Sequence, residues 1–452
     1  MSGLPAGWAL ASVGDLVERV EAGLNVKCIE RPPEPGERGL VKISAVTSGR
    51  FEQDKSKTLP KGIEVDDRNR IAPGDLLFSR ANTIELVGAC ALVDRVDRTL
   101  YLSDKVLRLV APLKTKRWLN LALKTPDARR AIAEASSGNQ LSMRNIAQDR
   151  LRALPVPVAP LAEQQRIADK LEAVLGRVDA CCDRLDRVGP LLQRFRQSVL
   201  AAAMSGDLTA AWRDSSTKAK WHETTLGELA EVGTGSTPLR SKAAYFADQG
   251  TPWITSSATS RQFIVAADQY VTNEAIKAHR LRVYPPGTLL VAMYGEGKTR
   301  GQVAELSIHA TINQACAAII VNDPAVSKDF IKLALRANYL AMRKLAEGGN
   351  QPNLNLSKVR SVPLLLPGIA EQAELIRRVN QLFGLADRLE NRLATALTTA
   401  GRLTPALLAK AFRGELVPQD PTDEPAQALL DRLRAAKATE PSGRRRRQPA
   451  GA

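Results

Sequence analysis

Three histidines, five cysteines and one glycine-lysine-threonine triplet are the residues of this chain from which chemistry could be built. His222, His279 and His309 stand apart in the sequence and form no paired arrangement, so acid/base or metal chemistry on imidazole has little material. The segment AMYGEGKTRG holds Gly297-Lys298-Thr299, but Ala292 stands where the first glycine of a phosphate-binding G-x-x-x-x-G-K-[ST] loop belongs. Glu296 and Lys298 imitate part of a nuclease Glu-x-Lys, yet no acidic residue precedes them on a matching strand. No Asn-Pro-Pro-aromatic segment is present for methyl transfer to an amino nitrogen, and no Gly-x-Gly-x-x-Gly follows a strand. Cys28, Cys90, Cys181, Cys182 and Cys316 are odd in number and lack Cys-x-x-Cys spacing, which reads as reduced thiols without a disulfide framework or a zinc knuckle. The sequence therefore offers no catalytic site.

What it does offer is charge. Lys and Arg number 64 against 48 Asp and Glu, a net charge of +16 with a pI near 9.8. A polyanion is the expected partner, nucleic acid before an acidic protein or a membrane surface, the bland alternative being a merely basic soluble protein. Aromatic residues make up only 4% of the chain. Proteins that hold single strands stack successive bases on aromatic rings, so double-stranded DNA is the better expectation. No apolar run approaches the ~18 residues of a membrane span, and the first thirty residues carry Asp15, Glu18 and Glu21, so a soluble, cytoplasmic chain is expected.

The elements that would carry this charge are written twice. Trp8 and Gly14-Asp15-Leu16 match Trp221 and Gly227-Glu228-Leu229, and PGDLLFS from Pro73 matches PGTLLVA from Pro286, at an offset of 213 residues. SGNQ ending at Gln140 matches GGNQ ending at Gln351 at 211, and LAEQQ from Leu161 matches IAEQA from Ile369 at 208. LAAAMSGDL and LAKAFRGEL keep that last offset. Matches that stay in order while the offset drifts slowly indicate duplicated architecture.

Each copy opens with a mixed segment. LVKIS, DLLFS, KVLRLVAP, TLLVAMY and AAIIV read as short strands, while KRWLNLALKTPDARRAIAEA and KDFIKLALRANYLAMRKLAE read as helices. A long amphipathic helix follows. Ile167, Leu171, Val174, Val178, Cys181, Leu185, Val188, Leu192, Phe195 and Val199 alternate steps of four and three, and Leu375, Val379, Leu382, Ala386, Leu389, Leu393, Ala396, Ala400, Leu403 and Leu407 repeat the seam. This is the coiled-coil pattern, with helices of about 50 Å. The two helices would pack against each other or, alternatively, each against its own domain. Gly189-Pro190 and Thr404-Pro405 should bend or interrupt them. Gly206 and Gly414 read as helix stops.

The expected fold class is α+β: two globular domains, 1–158 and 214–367, each followed by a long helix, 159–213 and 368–417. A tail, 418–452, reads as a short helix around Ala428 to Ala436 on a loose tether that ends in SGRRRRQPAGA. With no chemistry and two unlike globular units, each unit would read one short DNA segment of a split, asymmetric site.

Base reading needs side chains that make two hydrogen bonds at once, such as Arg to guanine and Asn or Gln to adenine. In the first copy the candidates are Arg80, Asn82, Lys105, Asn139, Gln140 and Arg144. In the second they are Tyr294, Lys298, Arg300, Asn313, Gln314, Asn350, Gln351 and Asn353. Those at the strand ends lie where the copies diverge while their scaffolds agree; exposed loops without contacts are the competing reading. Asn139-Gln140 and Asn350-Gln351 occur in both copies and could simply form a turn.

These features resemble the specificity (S) subunits of type I restriction-modification systems, over residues 1 to about 436. The resemblance is carried by Trp8 and Trp221, PGDLL and PGTLL, GNQLSMRNI and GNQPNLNLSKV, PVAPLAEQQRI and LLLPGIAEQAELI, and AAAMSGDL and AKAFRGEL. It implies two target-recognition domains joined by antiparallel helices and assembly with two methyltransferase subunits and, for cleavage, two ATP-driven restriction subunits. It implies no cofactor for this chain, with S-adenosylmethionine, ATP and Mg belonging to those partners. Cys181-Cys182, Gly189-Pro190 and Asp169 depart from the expected helix. Glu163-Gln164 and Glu371-Gln372 read as helix initiation, with docking of a methyltransferase subunit as the alternative. Two other classes stay open, a nonspecific DNA-bridging protein and a fused methyltransferase or nuclease with an unrecognised site.

Overall fold

The computed structural model describes residues 3–140, 143–214, 220–295, 299–345 and 353–439. Contacts group the chain into two units that cut across the order of its elements: Met1–Leu185 with Thr395–Ala452, and Asp186–Ala394. Each unit thus takes one mixed segment and a part of both long helices.

In unit 1 a four-stranded antiparallel sheet runs in the order Arg19–Glu21, Val106–Val110, Leu76–Ser79, Cys90–Leu92. The central strand Leu76–Ser79 is buried throughout. Its side chains alternate, Leu76 and Phe78 entering one core with Trp118 and Leu119, and Leu77 entering another with Val41 and Leu102. A strand buried on both faces reads as the continuous apolar run seen in the sequence. A second sheet places Arg38–Val41 between Ser56–Thr58 and, in parallel, Thr99–Tyr101. The expected helix over KRWLNLALKTPDARRAIAEA is two helices, Leu113–Ala122 and Pro126–Ala135, because Thr125 caps the second and Pro126 starts it.

Unit 2 repeats the plan. Its five-stranded sheet centres on Leu289–Ala292 beside Cys316–Ile320 and Val303–Leu306. Leu289 and Val291 face Phe330 and Leu335 on one side, and Leu290 faces Ile254 and Leu306 on the other. Thr251–Ile254 runs parallel to Thr311–Ile312, as its counterpart does in unit 1.

The opening strand of each unit closes antiparallel on the strand before the long helix: Ala9–Ser12 on Pro155–Val158, and His222–Thr225 on Pro363–Leu366. Trp8 then donates its indole N–H to Glu163 at 3.0 Å, and Trp221 donates to Glu371 at 2.9 Å. Gln164 and Gln372 donate to the carbonyls of Ala159 and Pro367, both at 2.8 Å. All four Glu and Gln side chains are buried. The repeated Ala-Glu-Gln phrase is thus an internal lock between the start of each unit and the start of its helix.

The first long helix spans Leu161–Asp186 and resumes as Val188–Met204 after Arg187. Pro190 falls in the first turn of the resumed helix, where its missing N–H costs little. The second, Ile369–Phe412, runs through Pro405 without interruption. In unit 2 the helix partners run in opposite directions: Glu371 meets Thr209 and Arg213, Arg378 meets the Leu208 carbonyl, and Asp387 and Glu390 meet Arg196. In unit 1 Ile167, Ala168 and Leu171 share a core with Leu408 and Ala411. The helices therefore pack on each other and on their domains at once. Cys181, Leu389 and Leu403, assigned to the seam from spacing, are instead exposed. Gly206 and Gly414 adopt the left-handed conformation (φ 79° and 72°) that ends these helices.

The tail helix, Ala426–Thr439, is docked rather than loose. Ala426 and Leu430 are fully buried in the core of unit 1, and the Lys437 ammonium donates to the carbonyls of Gly14 and Asp15. The four arginines at 444–447 lie outside the described residues.

Candidate nucleic-acid interface

The residue that follows the central strand does the same job in both units. In unit 1 the Arg80 N–H donates to the Lys105 carbonyl (3.0 Å), and the Arg80 carbonyl accepts from the Ile146 N–H (2.9 Å). In unit 2 the Met293 N–H donates to the Ala315 carbonyl (2.8 Å), and the Met293 carbonyl accepts from the Leu354 N–H (3.1 Å). Three segments distant in sequence are thereby tied into one junction, and each carries candidate readers.

In unit 1 the junction gathers all six candidates. Ala81–Asn82 pairs with Met143–Asn145, which pairs with Ser137–Gln140, so Asn82 sits opposite Arg144. Asn139 and Gln140 lie on the outer strand of this small sheet. Arg80 donates from Nε to the side-chain oxygen of Asn145 (3.2 Å), and Lys105 is exposed beside them. Asn82 and Lys105 also line a cavity of about 550 Å³ with Asn25, Lys42 and Ser44. Arg144 behaves differently from a reader: its guanidinium donates to Ser136 Oγ, to the Ser136 carbonyl and to the Gly138 carbonyl, bracing its own hairpin.

In unit 2 the junction gathers Tyr294, Gln314, Asn313 and Asn353. Tyr294 is exposed on the turn after the strand. Asn313 accepts from the Ala315 N–H, which shapes the turn, while Gln314 is exposed and accepts from the Thr237 hydroxyl. Arg300 re-enters the strand pair, with its carbonyl accepting from Arg343 (3.3 Å) and its Nε buried without a partner. Lys298, Asn350 and Gln351 lie outside the described residues. Asn145, bonded to Arg80 and not among the candidates, stands 208 residues before Asn353, an offset that the repeats already give.

The two junctions present different chemistry on one scaffold. Where unit 1 has a guanidinium, an ammonium and carboxamides, unit 2 has a phenol, carboxamides and a half-buried guanidinium. Arg, Asn and Gln at strand ends suit bidentate contacts to purine edges. Among the described residues no cluster of His, Cys, Asp or Glu is arranged to hold a metal ion, and no helix is long and apolar enough to cross a membrane.

The family model for the type I restriction modification DNA specificity domain matches residues 218–399. The type I restriction enzyme StySPI specificity subunit of Salmonella potsdam is 27% identical over 96% of both chains, and the EcoKI specificity subunit of Escherichia coli K12 is 26% identical over the same share. Among solved structures, the HsdS subunit from Thermoanaerobacter tengcongensis aligns with a TM-score of 0.55 at 19% identity, covering 91% of this chain and 98% of that one. A chain solved in work on complex assembly and conformational transition of the type I R-M system aligns at 0.65 and 17% identity, covering 92% and 100%. Over nearly its whole length the chain is thus similar to specificity subunits of type I restriction enzymes.

Proposed function

We propose that each unit of this chain reads one part of a split, asymmetric duplex target, and that the chain thereby directs adenine methylation and restriction by partner subunits. The observation that carries this reading is the shared three-segment junction, on which unlike side chains are displayed from like backbones. In unit 1 Arg80, Asn82, Lys105 and Asn145 contact base edges, with Asn139 and Gln140 beside them, while Arg144 holds the hairpin that presents them. In unit 2 Tyr294, Arg300, Gln314 and Asn353 do so with Lys298, Asn350 and Gln351, and Asn313 shapes the turn. Methyl transfer, ATP hydrolysis and cleavage belong to two methyltransferase and two restriction subunits, which bring S-adenosylmethionine, ATP and Mg to a cytoplasmic complex. The segments 1–158 and 214–367 act as the two recognition domains.

The test is to co-express the chain with its methyltransferase subunit and map methylated adenines across a genome. One split motif is expected, and exchanging residues 1–155 for those of another family member should alter one half of it. Methylation scattered without a motif, despite a stable complex, would favour a nonspecific DNA-bridging protein.

A further inference from the structure

Unit 2 holds a recess of about 310 Å³ beside its junction, lined by Thr259, Arg261, Gln262, Gln302, Arg336 and Tyr339 among others. Its wall has two guanidiniums, several neutral polar groups and no carboxylate, and Arg336 also borders a second recess that Phe383, Asp329 and Asp387 line. Arg336 is the unusual member. It rises from the helix Lys328–Ala337 and lies half-buried over the Phe383 ring, 5.9 Å from its centre. Arg196 sits over the same ring at 5.2 Å.

Other cations nearby have their counter-charges. Arg196 is paired with Asp387 and Glu390, and Lys332 with Glu305. Among the described residues no ion pair reaches Arg336. Burial, and after it the charge of Arg196, loosens its hold on its proton. A guanidinium partly withdrawn from water beside a like charge is unfavourable unless an anion completes it. Arg261, across the recess, has Asp268 at 3.8 Å as its ion-pair partner among the described residues and is half exposed. Gln302 completes the picture: its buried side-chain oxygen has no hydrogen-bond partner among the described residues.

The recess is continuous with the reading loop, because Gly301 lines it and directly follows Arg300. We infer that this recess seats a phosphodiester group of the duplex whose bases unit 2 reads, with Arg336 and Arg261 as its cationic ligands. The inference rests on the reading of unit 2 as a DNA-recognition unit. These arginines position the duplex and carry no sequence information, since the phosphate is the same at every base pair.

The salt dependence of duplex binding tests it, measured on the full chain in complex with its methyltransferase subunit. Each phosphate contact contributes about 0.9 to the slope of log affinity against log salt. Arg336→Gln should lower that slope by about one, so that its deficit against the wild type shrinks about threefold to fourfold for each fourfold rise in salt. Arg336→Lys should retain the slope, and Arg261→Gln, at an exposed position, should lower it in part. The methylated motif should be unchanged in all three. Unchanged slopes in Arg336→Gln and Arg261→Gln, with the wild-type motif intact, overturn the phosphate recess alone. A changed motif makes Arg336 a base reader and overturns it too. A wild-type complex without any motif overturns the reading of unit 2, and the recess with it.

Discussion

At the scale of single residues, the two tryptophan–glutamate locks are alike in geometry and unlike in support. Glu371 accepts from Trp221, Thr209 and Arg213, so its buried carboxylate has three donors, one of them cationic. Glu163 accepts from Trp8 through Oε2 and has the weaker support of Gln419, with no cationic donor bonded to it among the described residues. A buried acceptor left unpaired costs about 1 to 3 kcal/mol. Trp8→Phe should therefore lower the urea midpoint of the full chain more than Trp221→Phe does, a difference that would vanish in equilibrium unfolding if the locks were equivalent. The pH dependence follows from the same burial, which pushes the Glu163 carboxyl above its ordinary value. A group whose proton is held more tightly in the fold contributes stability below the unfolded value, near 4.5, and that contribution is lost as pH rises through the folded value. Glu163→Gln keeps an oxygen for Trp8 and removes this titration. Its stability should fall less than that of the wild type between about pH 4 and pH 7. Chemical denaturation at the two ends of that window decides it.

At the scale of elements, the long helices follow their written seam in part: Leu192, Ala386 and Ala400 are buried, while Cys181, Leu389 and Leu403 are exposed. Leu171 is fully buried between the recognition segment and the end of the second helix, whereas Leu389 is 39% exposed. Leu171→Ala should cost about 2 to 5 kcal/mol of stability and Leu389→Ala under about 1, read from thermal unfolding of each variant. Equal losses would mean that the heptad frame alone holds the helices. The seam, the repeated strands and the helix stops were legible in the sequence because they rest on local periodicity and on phrases that recur at a steady offset. What was not legible is non-local. Nothing near Glu163 announces Trp8, 155 residues away, as its donor. Nor does the spacing of Arg144 reveal that three acceptors of its own hairpin occupy its guanidinium. The junction was half legible: the strand ends mark where the central strands stop, but only the backbone bonds of Arg80 and Met293 show which distant segments meet there.

At the scale of the whole molecule, unit 1 draws its core from both halves of the chain. Trp8 stacks edge-on with Trp118 and Phe412, and Leu408, Ala411, Ala426 and Leu430 complete the same core. An amphipathic piece after a proline-rich stretch says that a helix forms, not what it will cover, so this docking had no signature in the sequence. Removing residues 426–452 should open unit 1 and leave unit 2 intact. Hydrogen exchange of the full chain against the truncated one should show lost protection along Ala9–Ser12 and Leu161–Asp186, with Cys316–Ile320 unchanged. Equal loss in both units would refute the division.

That division sets an order of manufacture. Unit 2 is written without interruption from Asp186 to Ala394, so every part of its core has emerged before the last residues of unit 1 are translated. Unit 1 begins first and finishes last, its opening tryptophan waiting for Phe412 and Leu430 more than four hundred residues downstream. During synthesis the first-made recognition segment is the unfinished one, and a nascent chain released early carries a completed second reader beside an open first.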